Sequence, residues 1–97
     1  MNKISPEKIA IVGLWHQGLV AAACLADLGF NVTAADVDKK KINDLSEGKV
    51  QIFEPGLEEL IKKGIKKNRL KFTSDLSKGV AEKDFIFLMF DTTVDSN

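Results

Sequence analysis

The sequence predicts an α/β fold with a parallel sheet covered by helices on both faces. Three observations carry that expectation. Apolar runs alternate along the chain with segments of helical spacing, the arrangement that places a crossover between successive parallel strands. The first run, Ile9 to Val12, is uninterrupted by polar residues, as in a strand buried on both sides. It leads into a turn holding Gly13 and Gly18, and the second apolar run ends on a carboxylate, Asp36.

The elements follow in order. Met1 to Glu7 reads as a short disordered lead and Lys8 to Val12 as the first strand. A helix is predicted from about His16 to Leu28, with Leu19, Val20, Ala23, Cys24 and Ala26 on its apolar face and Gly29 ending it. Phe30 to Ala35 is strand two. Asp38 is the expected N-cap of a second helix through about Glu47, stopped by Gly48. Lys39, Lys40 and Lys41 read as a solvated face from which one lysine could reach a cofactor. Val50 to Phe53 is extended, and Glu54-Pro55-Gly56 turns the chain. Leu57, Leu60, Ile61 and Ile65 stand at helical spacing, so a third helix covers about Gly56 to Lys67, with Gly64 tolerated inside it. Leu70 to Thr73 is a short strand, and Ser74 or Asp75 caps a short helix to about Ala81. Phe85 to Phe90 is the most apolar strand, followed by a polar end. The expected strand order is 3-2-1-4.

Bulk properties bound the function. A chain of 97 residues is one domain at most. It should bury roughly 60–65% of its unfolded surface. The 14 basic and 14 acidic residues cancel, so no net field favours nucleic acid or an anionic membrane, and neither is an expected partner. The start is polar and holds a proline, unlike a signal peptide, and the apolar runs are too short to span a bilayer. The single cysteine, Cys24, excludes an internal disulfide and suits a reducing cytoplasm; it reads as a small buried core residue rather than a nucleophile.

The residues from Lys8 to Asp36 have the layout of the first βαβ unit of a Rossmann-like dinucleotide-binding domain. Gly13 permits the tight turn after the strand, and Gly18 lets the helix pack close to the sheet. The middle glycine of G-x-G-x-x-G is replaced by Trp15, which either points away from the phosphates or covers their place. The helix N-terminus offers unpaired N–H groups to a pyrophosphate. Asp36 can accept hydrogen bonds from the ribose hydroxyls and would repel a 2′-phosphate, which favours NAD over NADP. A plain strand–turn–helix connection with no ligand has the same glycines, and a solvated carboxylate can also end a strand. His16, the only histidine, has no partner or substrate visible in the sequence and reads as a polar residue of the first helical turn.

The whole chain resembles the N-terminal NAD-binding domain of the UDP-glucose/GDP-mannose (nucleotide-sugar) 6-dehydrogenases. The likeness rests on Lys8-Ile-Ala-Ile-Val-Gly-Leu14, on Val32-Thr-Ala-Ala-Asp-Val-Asp38 and above all on Phe53-Glu-Pro-Gly-Leu-Glu-Glu-Leu60. It continues through Arg69-Leu-Lys-Phe-Thr-Ser-Asp75 to Phe90-Asp-Thr-Thr-Val-Asp95. The Glu54-Pro55-Gly56 segment also speaks against a different Rossmann oxidoreductase. The resemblance implies NAD as cofactor, oxidation of the C6 alcohol of a nucleotide sugar to a carboxylate with two NAD per turnover, and a place in polysaccharide biosynthesis. It further implies that Gly13, Leu14, Trp15, His16, Gln17 and Gly18 form the phosphate turn. Asp36 would take the adenosine ribose with help from Lys41, and Thr92 would stand beside the cofactor after strand four.

The family usually has Gly-Tyr-Val-Gly where this chain has Trp15-His16-Gln17-Gly18, and a proline where it has Thr93. Its catalytic cysteine and the helper lysine, asparagine and acidic residues lie beyond the position of Asn97. The expectation is a truncated first half of the NAD-binding domain over residues 1–97, without catalytic or sugar-binding domains, inactive by itself, with no catalytic and no metal-binding residue. The alternative is a non-catalytic remnant or self-associating module with no dinucleotide bound. Strand four should be an uncovered edge of six apolar residues, which predicts a homodimer or larger assembly through that region.

Overall fold

The computed structural model describes residues 7–51 and 54–89. The predicted lead lies largely outside these residues, and the end of the Val50–Phe53 stretch, Phe90 and the polar end from Asp91 lie outside them. The elements run β1 (Lys8–Val12), α1 (His16–Asp27), β2 (Asn31–Ala35), α2 (Lys39–Ser46), α3 (Leu57–Lys66), β3 (Leu70–Thr73), α4 (Leu76–Val80) and β4 (Phe85–Leu88). The four strands form one parallel sheet in the order β3-β2-β1-β4, the predicted one. Val50 and Gln51 join no strand.

Side-chain alternation divides the sheet into two faces. Ile9 and Ile11 of β1, Val32 and Ala34 of β2 and Leu70 of β3 form one core with Leu19, Ala22, Ala23 and Ala26 of α1, Ile42 and Leu45 of α2, and Leu57 and Ile61 of α3. The opposite face carries α4. It lies so close that a methyl group on its Gly79 would stand 3.0 Å from Ala35 Cβ and 3.3 Å from a Thr73 methyl. The helix N-caps follow local chemistry: the Asp38 carboxylate accepts the Lys41 N–H, and that of Asp75 accepts the Lys78 N–H. Gly56, in the left-handed region at φ 82°, precedes α3.

Cys24 departs from its predicted place. It is exposed. The buried side of α1 is Gly18, Leu19, Ala22, Ala23 and Ala26. At 100° per residue Cys24 falls almost opposite the centre of that arc. The small residues decide it, because they let the helix axis approach the sheet, and the larger Val20 is left only half buried.

Strand β4 is the edge. Its residues Phe85, Ile86, Phe87 and Leu88 align with Ile9, Ala10, Ile11 and Val12 of β1, and all four are exposed. Among the described residues the strand runs to Leu88, and the Met89 N–H still donates to the Val12 carbonyl at 2.8 Å; the expected end at Phe90 lies outside them.

Candidate functional site

In an open parallel sheet, ligands bind beyond the carboxyl ends of the strands, where the strand order reverses. Here that point is β1, because the chain runs outward through β2 and β3 and returns to β4 on the other side. The turn after β1 is built on two close approaches. Gly13 has φ 99°, and a Cβ there would lie 2.1 Å from the Met89 carbonyl oxygen. A Cβ on Gly18 would lie 1.9 Å from the Gly13 carbonyl oxygen. The two glycines thus bring the end of β1, the first turn of α1 and the end of β4 together.

Helix α1 opens with no side-chain cap and no acidic residue in its first turn. The Trp15 carbonyl accepts the Leu19 N–H at 2.9 Å, the first bond of the helix. The N–H groups of the first turn therefore have no intrahelical partners, the arrangement that accepts an anion. Trp15 is the N-cap residue at φ −81°, ψ −165°, extended backbone that does not require glycine. His16 is not without a partner: its Nε2 meets Glu54 Oε1, tying the Glu54-Pro55-Gly56 segment to the start of α1. Sequence reasoning missed this pair. Gln17 is exposed beside it.

Asp36, at the end of β2, is the one buried charged residue named among the described core. Oδ2 accepts the Leu14 N–H at 2.9 Å, and Oδ1 accepts the Asp38 N–H at 3.0 Å. Lys41 Nζ stands 3.6 Å from Oδ2. Burial pushes the carboxyl up, but the two backbone donors and the Lys41 ammonium outweigh it and hold the group below the ordinary aspartate range. A carboxylate oxygen can accept two hydrogen bonds, so Oδ1 keeps room for another donor, such as a hydroxyl, while the Lys41 ammonium stands at Oδ2. The Leu14 side chain is buried, so this residue acts through its backbone N–H. Lys39 and Lys40 are exposed as predicted, while Lys41 turns inward. Its ammonium also lies 3.7 Å from the centroid of the Trp15 ring, a contact no sequence pattern announced.

The structure thus brings Gly13, Leu14, Trp15, His16, Gly18, Asp36 and Lys41 to one end of the sheet. Thr92 lies outside the described residues. No group of three or more His, Cys, Asp or Glu side chains among the described residues is placed to hold a metal ion. No helix among them is long and apolar enough to cross a membrane.

Comparison with known proteins agrees with this geometry. Residues 7–97 match the family model of the UDP-glucose/GDP-mannose dehydrogenase family, NAD binding domain. A UDP-glucose 6-dehydrogenase of Rhizobium meliloti is 41% identical over 85 residues, 88% of this chain and 20% of that protein. A GDP-mannose 6-dehydrogenase of Pseudomonas aeruginosa is 39% identical over 90 residues, 93% of this chain and 21% of that protein. Among solved structures, a ternary complex of GDP-mannose dehydrogenase from P. aeruginosa superposes with a TM-score of 0.85 at 39% identity, over 91% of this chain and 20% of the other. A UDP-glucose dehydrogenase from the archaeon Pyrobaculum islandicum gives 0.83 at 31% identity, over 91% of this chain and 21% of the other. The chain spans about one-fifth of the length of the relatives it matches. By its strand order, its glycine turn and these matches, the chain belongs to the UDP-glucose/GDP-mannose dehydrogenase family and represents its NAD-binding domain.

Proposed function

We propose that this chain binds NAD as the cofactor-binding portion of a nucleotide-sugar 6-dehydrogenase of the UDP-glucose or GDP-mannose type. The observation that carries the reading is the Asp36 carboxylate. It is fixed by two backbone donors, keeps an acceptor position on Oδ1 with the Lys41 ammonium beside Oδ2, and stands beside an uncapped helix N-terminus. The ribose diol of the adenosine half suits the first feature and the pyrophosphate suits the second. Gly13 and Gly18 allow the turn, and Lys41 supplies a donor at the ribose. NAD, when bound, supplies the hydride acceptor; these residues bind and orient it.

The reaction of the whole enzyme is oxidation of the sugar C6 alcohol to a carboxylate, which yields acidic donors of the kind polysaccharide biosynthesis consumes. A cytoplasmic location fits the single cysteine. On this reading the 97-residue chain is inactive by itself: its only cysteine, the nucleophile type this chemistry needs, lies on the outer side of α1, turned away from the sheet. No NADH should form from a UDP- or GDP-sugar with this chain alone.

Calorimetric titration tests the cofactor reading. NAD should bind with a dissociation constant of about 1 mM, and NADP more weakly. Asp36→Asn should narrow the difference. Tighter binding of NADP than of NAD would remove Asp36 from its role. A second proposal concerns assembly: the exposed apolar strand β4 favours a homodimer or larger species.

A further inference from the structure

Trp15 replaces the residue at which the dinucleotide fingerprint has no side chain, and the residue is 58% exposed. Its place is nevertheless specific. The Lys41 ammonium lies between two groups, 3.7 Å from the centroid of the indole ring and 3.6 Å from Asp36 Oδ2. The lysine side chain is only 20% exposed. A lysine on a free helix face samples many rotamers, and holding it at a ligand normally costs that freedom when the ligand arrives. Here the carboxylate attracts the charge from one side and the ring face attracts it from the other. The backbone is fixed too, because the Lys41 N–H is held by the Asp38 cap.

The cleft that the ring lines together with Leu14, Leu19, Lys41, Leu45 and Gln51 has a volume of about 80 Å³, below the roughly 300–1,000 Å³ usual for a small-molecule site. The specific contact of the ring is the one it makes with Lys41.

We propose that Trp15 is a positioning residue for Lys41: its ring holds the ammonium at the Asp36 carboxylate, so that the ribose of an adenosine-containing cofactor meets a donor already in place. The proposal rests on the NAD reading above. The side chain at the middle position of the fingerprint thereby serves the ribose end of the site, while the extended Trp15 backbone serves the phosphate turn.

Two measurements test it. The first needs no ligand. Trp15 is the only tryptophan, so its emission reports the ammonium on its ring. Lys41→Met keeps most of the aliphatic stem and removes the charge. It should change the intensity or position of the emission, and an unchanged spectrum would overturn the proposal.

The second is a double-mutant cycle on binding, read by calorimetry with NAD and, as a ligand without adenosine, nicotinamide mononucleotide. Trp15→Leu should weaken NAD about three- to tenfold and leave the mononucleotide unchanged. Trp15→Phe should recover most of the loss, since a phenyl ring also attracts a cation. Trp15→Leu combined with Lys41→Met should be no weaker than Lys41→Met within about twofold, because one interaction is lost in both. Losses that multiply in the double variant, or an unaffected Trp15→Leu, would overturn the positioning role while the NAD reading stands. Absence of NAD binding by the unaltered chain would overturn that reading and this proposal with it.

Discussion

Two backbone positions and one carboxylate define the candidate site at the level of single residues. Gly18 has no space for a methyl group, since a Cβ would meet the Gly13 carbonyl oxygen at 1.9 Å and backbone cannot yield as a side chain tip can. Gly18→Ala should destabilise the fold by about 2–3 kcal/mol, read as a lower urea midpoint at unchanged slope. Asp36 links stability to pH. Its carboxyl is held below the ordinary aspartate range, so the folded state binds its proton more weakly than the unfolded chain does. The stabilisation is therefore fully present above the unfolded value of about 4 and is lost as pH falls through the folded value. Asp36→Asn should remove this part of the acid dependence, seen as a flatter loss of stability below about pH 4. The glycines and Asp36 were legible because the fingerprint fixes their spacing. The partners of Asp36 were less so. The Leu14 N–H reaches it across 22 residues, and only the shape of the turn brings the two together.

Elements were read well where their ends carry chemistry. Asp38 and Asp75 cap α2 and α4 as expected, and α1 and α2 stop within a residue or two of the glycines that were expected to end them. The burial of α1 was read less well. That helix has apolar residues around most of its circumference, so periodicity does not choose a face; the small residues do, and Cys24 ends up outside. The pairing of His16 with Glu54 was also hidden, because it joins α1 to a segment 38 residues away. The α2 cap has a consequence for the site. Asp38→Ala removes the acceptor of the Lys41 N–H at the start of an eight-residue helix. It should lower stability by about 1 kcal/mol. NAD should also bind more weakly, since Lys41 sits on that first turn. A loss of stability with unaltered NAD affinity would separate the cap from the site.

At the scale of the whole molecule, the order of the strands was legible from the alternation of apolar runs and helical segments, while the surroundings of β4 depend on what meets it. Phe85 and Phe87 align with Ile9 and Ile11, so they share the face that carries α1, and Ile86 and Leu88 take the other face. Exposure runs from 44% at Phe87 to 61% at Leu88, so neither face of this edge is covered by the described residues. Among the residues of the strand there is no proline or charge, the usual means by which an edge resists pairing. Phe85 and Phe87 are already about half covered within the chain, so burying the rest contributes about 1.5–3 kcal/mol per chain, to which main-chain pairing along the open edge adds. The 97-residue chain should therefore be a dimer or larger at about 100 μM by light scattering, a concentration at which even micromolar affinity would register. Leu88→Lys places a charge on the edge at its most exposed position, and it should shift the mass toward monomer with the far-UV spectrum preserved. A clean monomer mass for the unaltered chain at that concentration would mean that β4 is shielded from a second copy.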